Sequence, residues 1–134
     1  KRLIVTADDD GLVPVFAIDA ATGARTPLSS REPGGSYSNV AAVAGGKLAA
    51  IRSSLLDAPE CVLLDGRSAA APVPLTRLSG LTPAHDWAEC ESITTVSTDG
   101  TPIQSWITRP KNARNAPALL WIHGGPIGMS GDGW

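Results

Sequence analysis

Short apolar runs, five or six residues long, alternate with turn-forming clusters along the first eighty residues. Leu3-Ile4-Val5-Thr6-Ala7 is echoed by Leu48-Ala49-Ala50-Ile51-Arg52 at an offset of 45 residues, and Val15-Phe16-Ala17-Ile18-Asp19 by Cys61-Val62-Leu63-Leu64-Asp65 at 46. Thr26-Pro27-Leu28 then matches Val73-Pro74-Leu75 at 47. Runs of this length, bounded by turn chemistry, predict β-strands over 2–7, 13–19 and 24–29, and over 38–44, 47–53, 60–65 and 73–78. Asp8-Asp9-Asp10-Gly11 and Asp19-Ala20-Ala21-Thr22-Gly23 predict the turns between the first three, because Asp carboxylates cap backbone N–H groups and Gly accepts positive φ.

A repeat of 45 to 47 residues with several strands per unit matches the blade spacing of a β-propeller. The second unit has four strands; the first lacks its opening strand. One blade cannot bury both of its faces, and about three repeats are usually needed for stability. Further blades are therefore expected before Lys1.

Beyond Gly80 the pattern changes. Residues 81–90, with Pro83, His85 and Trp87, show no period and predict a connector. Ile93 to Thr98 and Ile103 to Thr108 flank Asp99-Gly100, and Asp-Gly between two strand-like runs predicts a hairpin. Ala118-Leu119-Leu120-Trp121-Ile122 is a continuous apolar run, expected as a strand buried on both faces of a parallel sheet, with a helix as the competing assignment. The expected organisation is thus 1–80 as repeated sheets, 81–90 as connector and 91–134 as the start of a second domain.

Composition adds limits. The 134 residues carry 11 Lys+Arg against 13 Asp+Glu, with no basic cluster to neutralise a phosphate backbone or an anionic membrane surface. No apolar stretch approaches the roughly 18 residues of a membrane span, and the start at Lys1-Arg2 leads into a run too short for a signal peptide. Neither nucleic acid nor membrane is an expected partner, and a cytoplasmic location is the default. Fourteen glycines and 11 prolines imply frequent turns and short elements. Cys61 and Cys90 are too few for a disulfide framework or a zinc site and are expected as free core thiols, with a disulfide between them the lesser alternative. Lys1 at one end and a glycine-rich segment at the other predict a piece of a longer protein.

The chemistry concentrates in His123-Gly124-Gly125-Pro126. At a strand's carboxyl end, open α/β sheets gather their ligand-binding groups. Two glycines leave backbone N–H groups bare, and proline fixes the exit of the chain. Such a loop can form an oxyanion hole, whose N–H dipoles stabilise a developing alkoxide; a plain Gly-Gly-Pro turn is the alternative. Ser130, in Gly128-Met129-Ser130-Gly131-Asp132, departs from Gly-x-Ser-x-Gly at the last position and is not expected to be a nucleophile. His123 precedes every candidate nucleophile, against the hydrolase order, and is a poor general base. His85-Asp86 has no supporting metal ligands. Asp8-Asp9-Asp10-Gly11 lacks the alternating oxygens and terminal glutamate of an EF-hand, so no metal or cofactor is expected. Trp87, Trp106 and Trp121 are assigned to packing, and Trp134 to packing or the wall of a substrate cleft.

The order of these features resembles the prolyl oligopeptidase family of serine peptidases, in its acylaminoacyl-peptidase-like branch. The matching segments are Ala7 to Gly11 with Val13-Pro14-Val15-Phe16, Ser38 to Asp65, Asp99-Gly100-Thr101-Pro102-Ile103-Gln104-Ser105-Trp106, and Pro117 to Pro126. The resemblance implies a mostly β chain holding the last blades of a propeller, followed by the first strands of an α/β-hydrolase domain. It implies that the Gly125 N–H contributes to the oxyanion hole, with Gly124 beside it and His123 where some relatives carry a hydroxyl-donating tyrosine. The Ser, Asp and His of the triad would follow Trp134, in that order. Short peptides are the implied substrate, and the remainder of the polypeptide is needed for activity. The chain alone is expected to be inactive. A propeller-based binding or scaffold protein with a non-catalytic hydrolase-like segment is the alternative; an esterase or lipase would share the loop but not the repeat.

Overall fold

The computed structural model describes residues 1–32, 34–78, 88–125 and 127–133. The chain is mostly β, in three antiparallel sheets. The first holds β1 (Arg2–Thr6), β2 (Val15–Asp19) and β3 (Arg25–Pro27) in that order. The second holds β4 (Ser36–Val43), β5 (Lys47–Ser53), β6 (Glu60–Asp65) and β7 (Val73–Pro74), also in sequence order. β8 (Glu89–Val96) and β9 (Pro102–Arg109) form a two-stranded hairpin.

The sequence repeat is also a repeat of register. Leu3 pairs with Ile18 in the first sheet as Leu48 pairs with Leu64 in the second; Val5 with Phe16 as Ala50 with Val62; Phe16 with Pro27 as Val62 with Pro74. Because a one-residue slip would turn every side chain to the opposite face, matching registers place equivalent residues on equivalent faces. The core follows from that alternation. Leu48 and Ala50 of β5 and Val62 and Leu64 of β6 are buried at every second position. They pack with Val15 and Ala17 of β2, Leu28 and Tyr37. Phe16 stacks under the Arg25 guanidinium, 4.7 Å from ring centroid to Cζ. The two sheets are further tied by the parallel bridge of Val13 to Ser36 and by Tyr37 N–H donating to Val13 O at 2.9 Å.

Turn chemistry behaves as the residues require. Asp10 and Gly11 both take positive φ, 55° and 74°, between Asp9 and Leu12, which bond to each other across the turn. Asp9 and Asp10 turn their carboxylates to the Arg31 guanidinium, at 3.0 and 3.1 Å. Asn39, at φ 51°, sits where the β4–β5 register shifts between Ser38 and Ala41, the mark of a bulge.

Two turn carboxylates titrate low for the same reason. Asp19 lies below its ordinary 3.8, held first by the Thr22 N–H, then by the Ala21 N–H and the Thr22 hydroxyl. Asp99 is lowered likewise, first by the Thr101 N–H and then by the Thr101 and Ser97 hydroxyls. A folded pKa below the unfolded one contributes stability above the unfolded value, and that contribution is lost as pH falls through the folded value. Asp19→Asn and Asp99→Asn are therefore expected to shrink the stability lost between about pH 6 and pH 3. Urea midpoints at the two pH values test this; an unchanged difference in both variants would refute it.

Tyr37 is 2% exposed, and among the described residues its hydroxyl meets no partner at full hydrogen-bond geometry, although the Arg52 guanidinium lies near it. Burial pushes the phenol above its ordinary 10.0, and the nearby Arg52 guanidinium offsets part of that rise. A buried hydroxyl without a well-formed hydrogen bond is destabilising, so Tyr37→Phe is expected to raise stability by about 1 kcal/mol. A denaturant midpoint that falls at unchanged slope would show that the hydroxyl is satisfied in solution.

Several expectations need correction. Residues 118–122 form no strand; they run irregularly, with Leu119, Leu120, Trp121 and Ile122 between 77 and 87% exposed. A strand needs hydrogen-bonded neighbours, and no described strand pairs with this run. Trp121 is accordingly on the surface and not in a packed interior. β7 stops at Pro74, well short of residue 78: Leu75 N–H still donates to Cys61 O at 2.8 Å, but the Cys61 N–H turns to the Thr76 hydroxyl oxygen at 2.9 Å and the ladder goes no further. The hairpin begins at Glu89, so residues 89 and 90 belong to a strand and not to the connector. Cys61 and Cys90 are free, and half-buried where core positions were expected. The remaining connector residues, 81–87, with His85 and Trp87, lie outside the described residues.

By its contacts the chain divides into two compact units, Lys1–Pro83 with Gly131–Trp134, and Ala84–Ser130. The tripeptide Gly131-Asp132-Gly133 thus packs with the first two sheets.

Candidate functional site

His123, Gly124 and Gly125 follow the exposed apolar run in an irregular segment. His123 Nδ1 lies 2.7 Å from Gly124 O, and the ring is otherwise exposed. That contact engages the histidine with its own loop, and among the described residues no carboxylate orients the ring. Around Gly124 a Cβ would meet nothing within 4 Å; at Gly125 it would meet Ile127 N at 3.1 Å. The glycines therefore have different roles. Gly124 leaves an open approach to the loop, whereas Gly125 lets the chain fold back closely on Ile127.

Neither the Gly124 nor the Gly125 N–H donates to another described residue. Two adjacent uncommitted N–H groups, without side chains to screen them, are what a small anionic oxygen requires. Gly128, at φ 152°, carries the chain onward, and Ser130 O accepts from Trp106 Nε1 at 2.9 Å, fastening the end of the loop to β9. Trp106, assigned to packing from the sequence, is half-buried here and held through its ring N–H. Ser130 Oγ has no histidine or carboxylate partner among the described residues. Pro126 and Trp134, the proline of the loop and the candidate cleft wall, lie outside the described residues.

Elsewhere the structure adds pairings that spacing alone did not reveal. Arg109 spans Glu89 and Glu91 at 3.3 and 3.0 Å across the hairpin, an exposed set expected to contribute little to stability. Among the described residues no helix is long and apolar enough to cross a membrane.

No known protein family, curated protein or solved structure matches this chain.

Proposed function

We propose that this chain is part of a serine peptidase that hydrolyses short peptides through an acyl-enzyme, with the first two sheets as propeller blades and 91–134 as the opening of an α/β-hydrolase domain. One observation carries this: the Gly124 and Gly125 N–H groups have no acceptor among the described residues and carry no side chains of their own, directly after a strand-length apolar run. In the proposed reaction a serine Oγ adds to the scissile carbonyl carbon and its proton passes to a histidine. The Gly125 N–H receives the oxyanion, the amine leaves with the proton, and water then hydrolyses the ester. Serine, acid and histidine would lie beyond Trp134. The exposed 118–122 run would gain its strand geometry from neighbouring strands of the same sheet.

A second proposal, a sheet-repeat binding protein whose hydrolase-like segment is non-catalytic, is favoured by the absence of strand structure at 118–122. Fluorophosphonate labelling of the gene's full product beside this chain separates the two. Labelling of the full product alone is expected; labelling of neither would favour the binding protein, and labelling of this chain would place a nucleophile within it.

A further inference from the structure

The ends of three loops in the first unit hold one residue of the chain through its N–H, its carbonyl and its carboxylate. Asp132 N–H donates to Gly11 O at 2.6 Å, Ser36 Oγ–H donates to Asp132 O at 2.6 Å, and Leu55 N–H donates to Asp132 Oδ1 at 2.7 Å. Gly11 comes from the β1–β2 turn, Ser36 from the start of β4 and Leu55 from the β5–β6 turn. They are brought together by the packing of the first two sheets.

The donor at Leu55 is set up for an anion. Ser54 Oγ, in a residue only 8% exposed, accepts from Leu56 N–H and Asp57 N–H at 3.2 and 2.9 Å. The turn thereby satisfies its own last two N–H groups and leaves that of Leu55 for the carboxylate. A hydrogen bond to an ionised acceptor is about twice as strong as a neutral one. The residue that follows Asp132 is also read: a Cβ at Gly133 would stand 3.2 Å from Ser36 Oγ. The cradle thus tests one backbone N–H, one backbone C=O, one carboxylate and the absence of bulk beside them.

We propose that this loop end is a binding site for an acidic peptide that bends at an Asp followed by a small residue, and that Gly131-Asp132-Gly133 occupies it in cis as a captive ligand. The site lies apart from the His123-Gly124-Gly125 loop and does not depend on the peptidase proposal. A tethered segment presents itself at an effective concentration in the millimolar range, so a free peptide competes poorly until that segment is displaced.

Asp132→Pro removes the N–H and the carboxylate together and should vacate the site. In the isotope-labelled variant, acetyl-Gly-Asp-Gly-amide is expected to shift the Leu55 amide resonance saturably. The unsubstituted chain should need about tenfold more peptide or beyond, and acetyl-Gly-Asn-Gly-amide should bind the variant about tenfold more weakly. No saturable shift, or an equal response to the Asn peptide, overturns the proposal. If Asp132→Pro loses the dispersed resonances of Val15, Leu28 and Leu48, Asp132→Ala takes its place under the same criteria.

Discussion

Replacing Leu48 by alanine is expected to cost about 3 kcal/mol of unfolding free energy, and the same replacement at Leu3 less than about 1 kcal/mol. The two leucines are equivalent by sequence offset and by ladder register, each opposite an aliphatic residue of the next strand. Their surroundings differ. Leu48 is 4% exposed, because β4 closes the edge of β5 and the first sheet covers its face, whereas Leu3 is 50% exposed on a strand with a single partner. Truncating the first leaves a cavity among Leu64, Val62 and their neighbours; truncating the second removes a side chain that water already reaches. Urea midpoints of the two variants test the difference. Equal costs would show that β1 is covered in solution.

In the gene's full product, Gly125→Pro is expected to lower kcat on short peptides by about 10²–10³, with KM little changed. Proline deletes the N–H proposed to receive the oxyanion, a group whose value is realised in the transition state and not in substrate binding. Gly125→Ala is the matched control. It keeps the N–H and adds a Cβ that meets Ile127 N at 3.1 Å, a contact relieved by a small shift. If proline leaves kcat unchanged, Gly125 is not the donor. If alanine loses as much as proline, it is the loop's shape that matters and not the hydrogen bond.

Much of the architecture was legible in the residues because it is local. Asp10-Gly11 turns the chain through positive φ at both residues, with the Asp9 and Asp10 carboxylates on Arg31 and not on backbone N–H groups as expected, whereas Asp99-Gly100 combines a positive φ at Gly100 with a carboxylate cap on the Thr101 N–H; both turns were readable from two residues. Which face is buried was not legible: Leu48-Ala49-Ala50-Ile51 and Cys61-Val62-Leu63-Leu64 are continuous apolar runs, and packing singles out Leu48, Ala50, Val62 and Leu64. The repeat offsets anticipated which strands would share a register. The glycines of the candidate loop were equally plain, since a residue without Cβ advertises itself.

Local composition settles where the strands of the first two sheets begin and end to within a few residues, and which turns join them. Packing across the fold decides which face of each strand is buried and which runs find a partner. The strand expected at 118–122 is missing for that reason: apolar content makes a run suited to a sheet interior, but a strand exists only when neighbours supply hydrogen bonds on its flanks. Tyr37 reads as an ordinary buried aromatic until packing leaves its hydroxyl without a partner at full hydrogen-bond geometry among the described residues. Asp132 reads as a polar residue in a glycine-rich segment until three loops, distant along the chain, converge on its N–H, its carbonyl and its carboxylate. Backbone conformation is set by nearest neighbours, whereas hydrogen-bond partners across the fold are chosen by how the sheets pack.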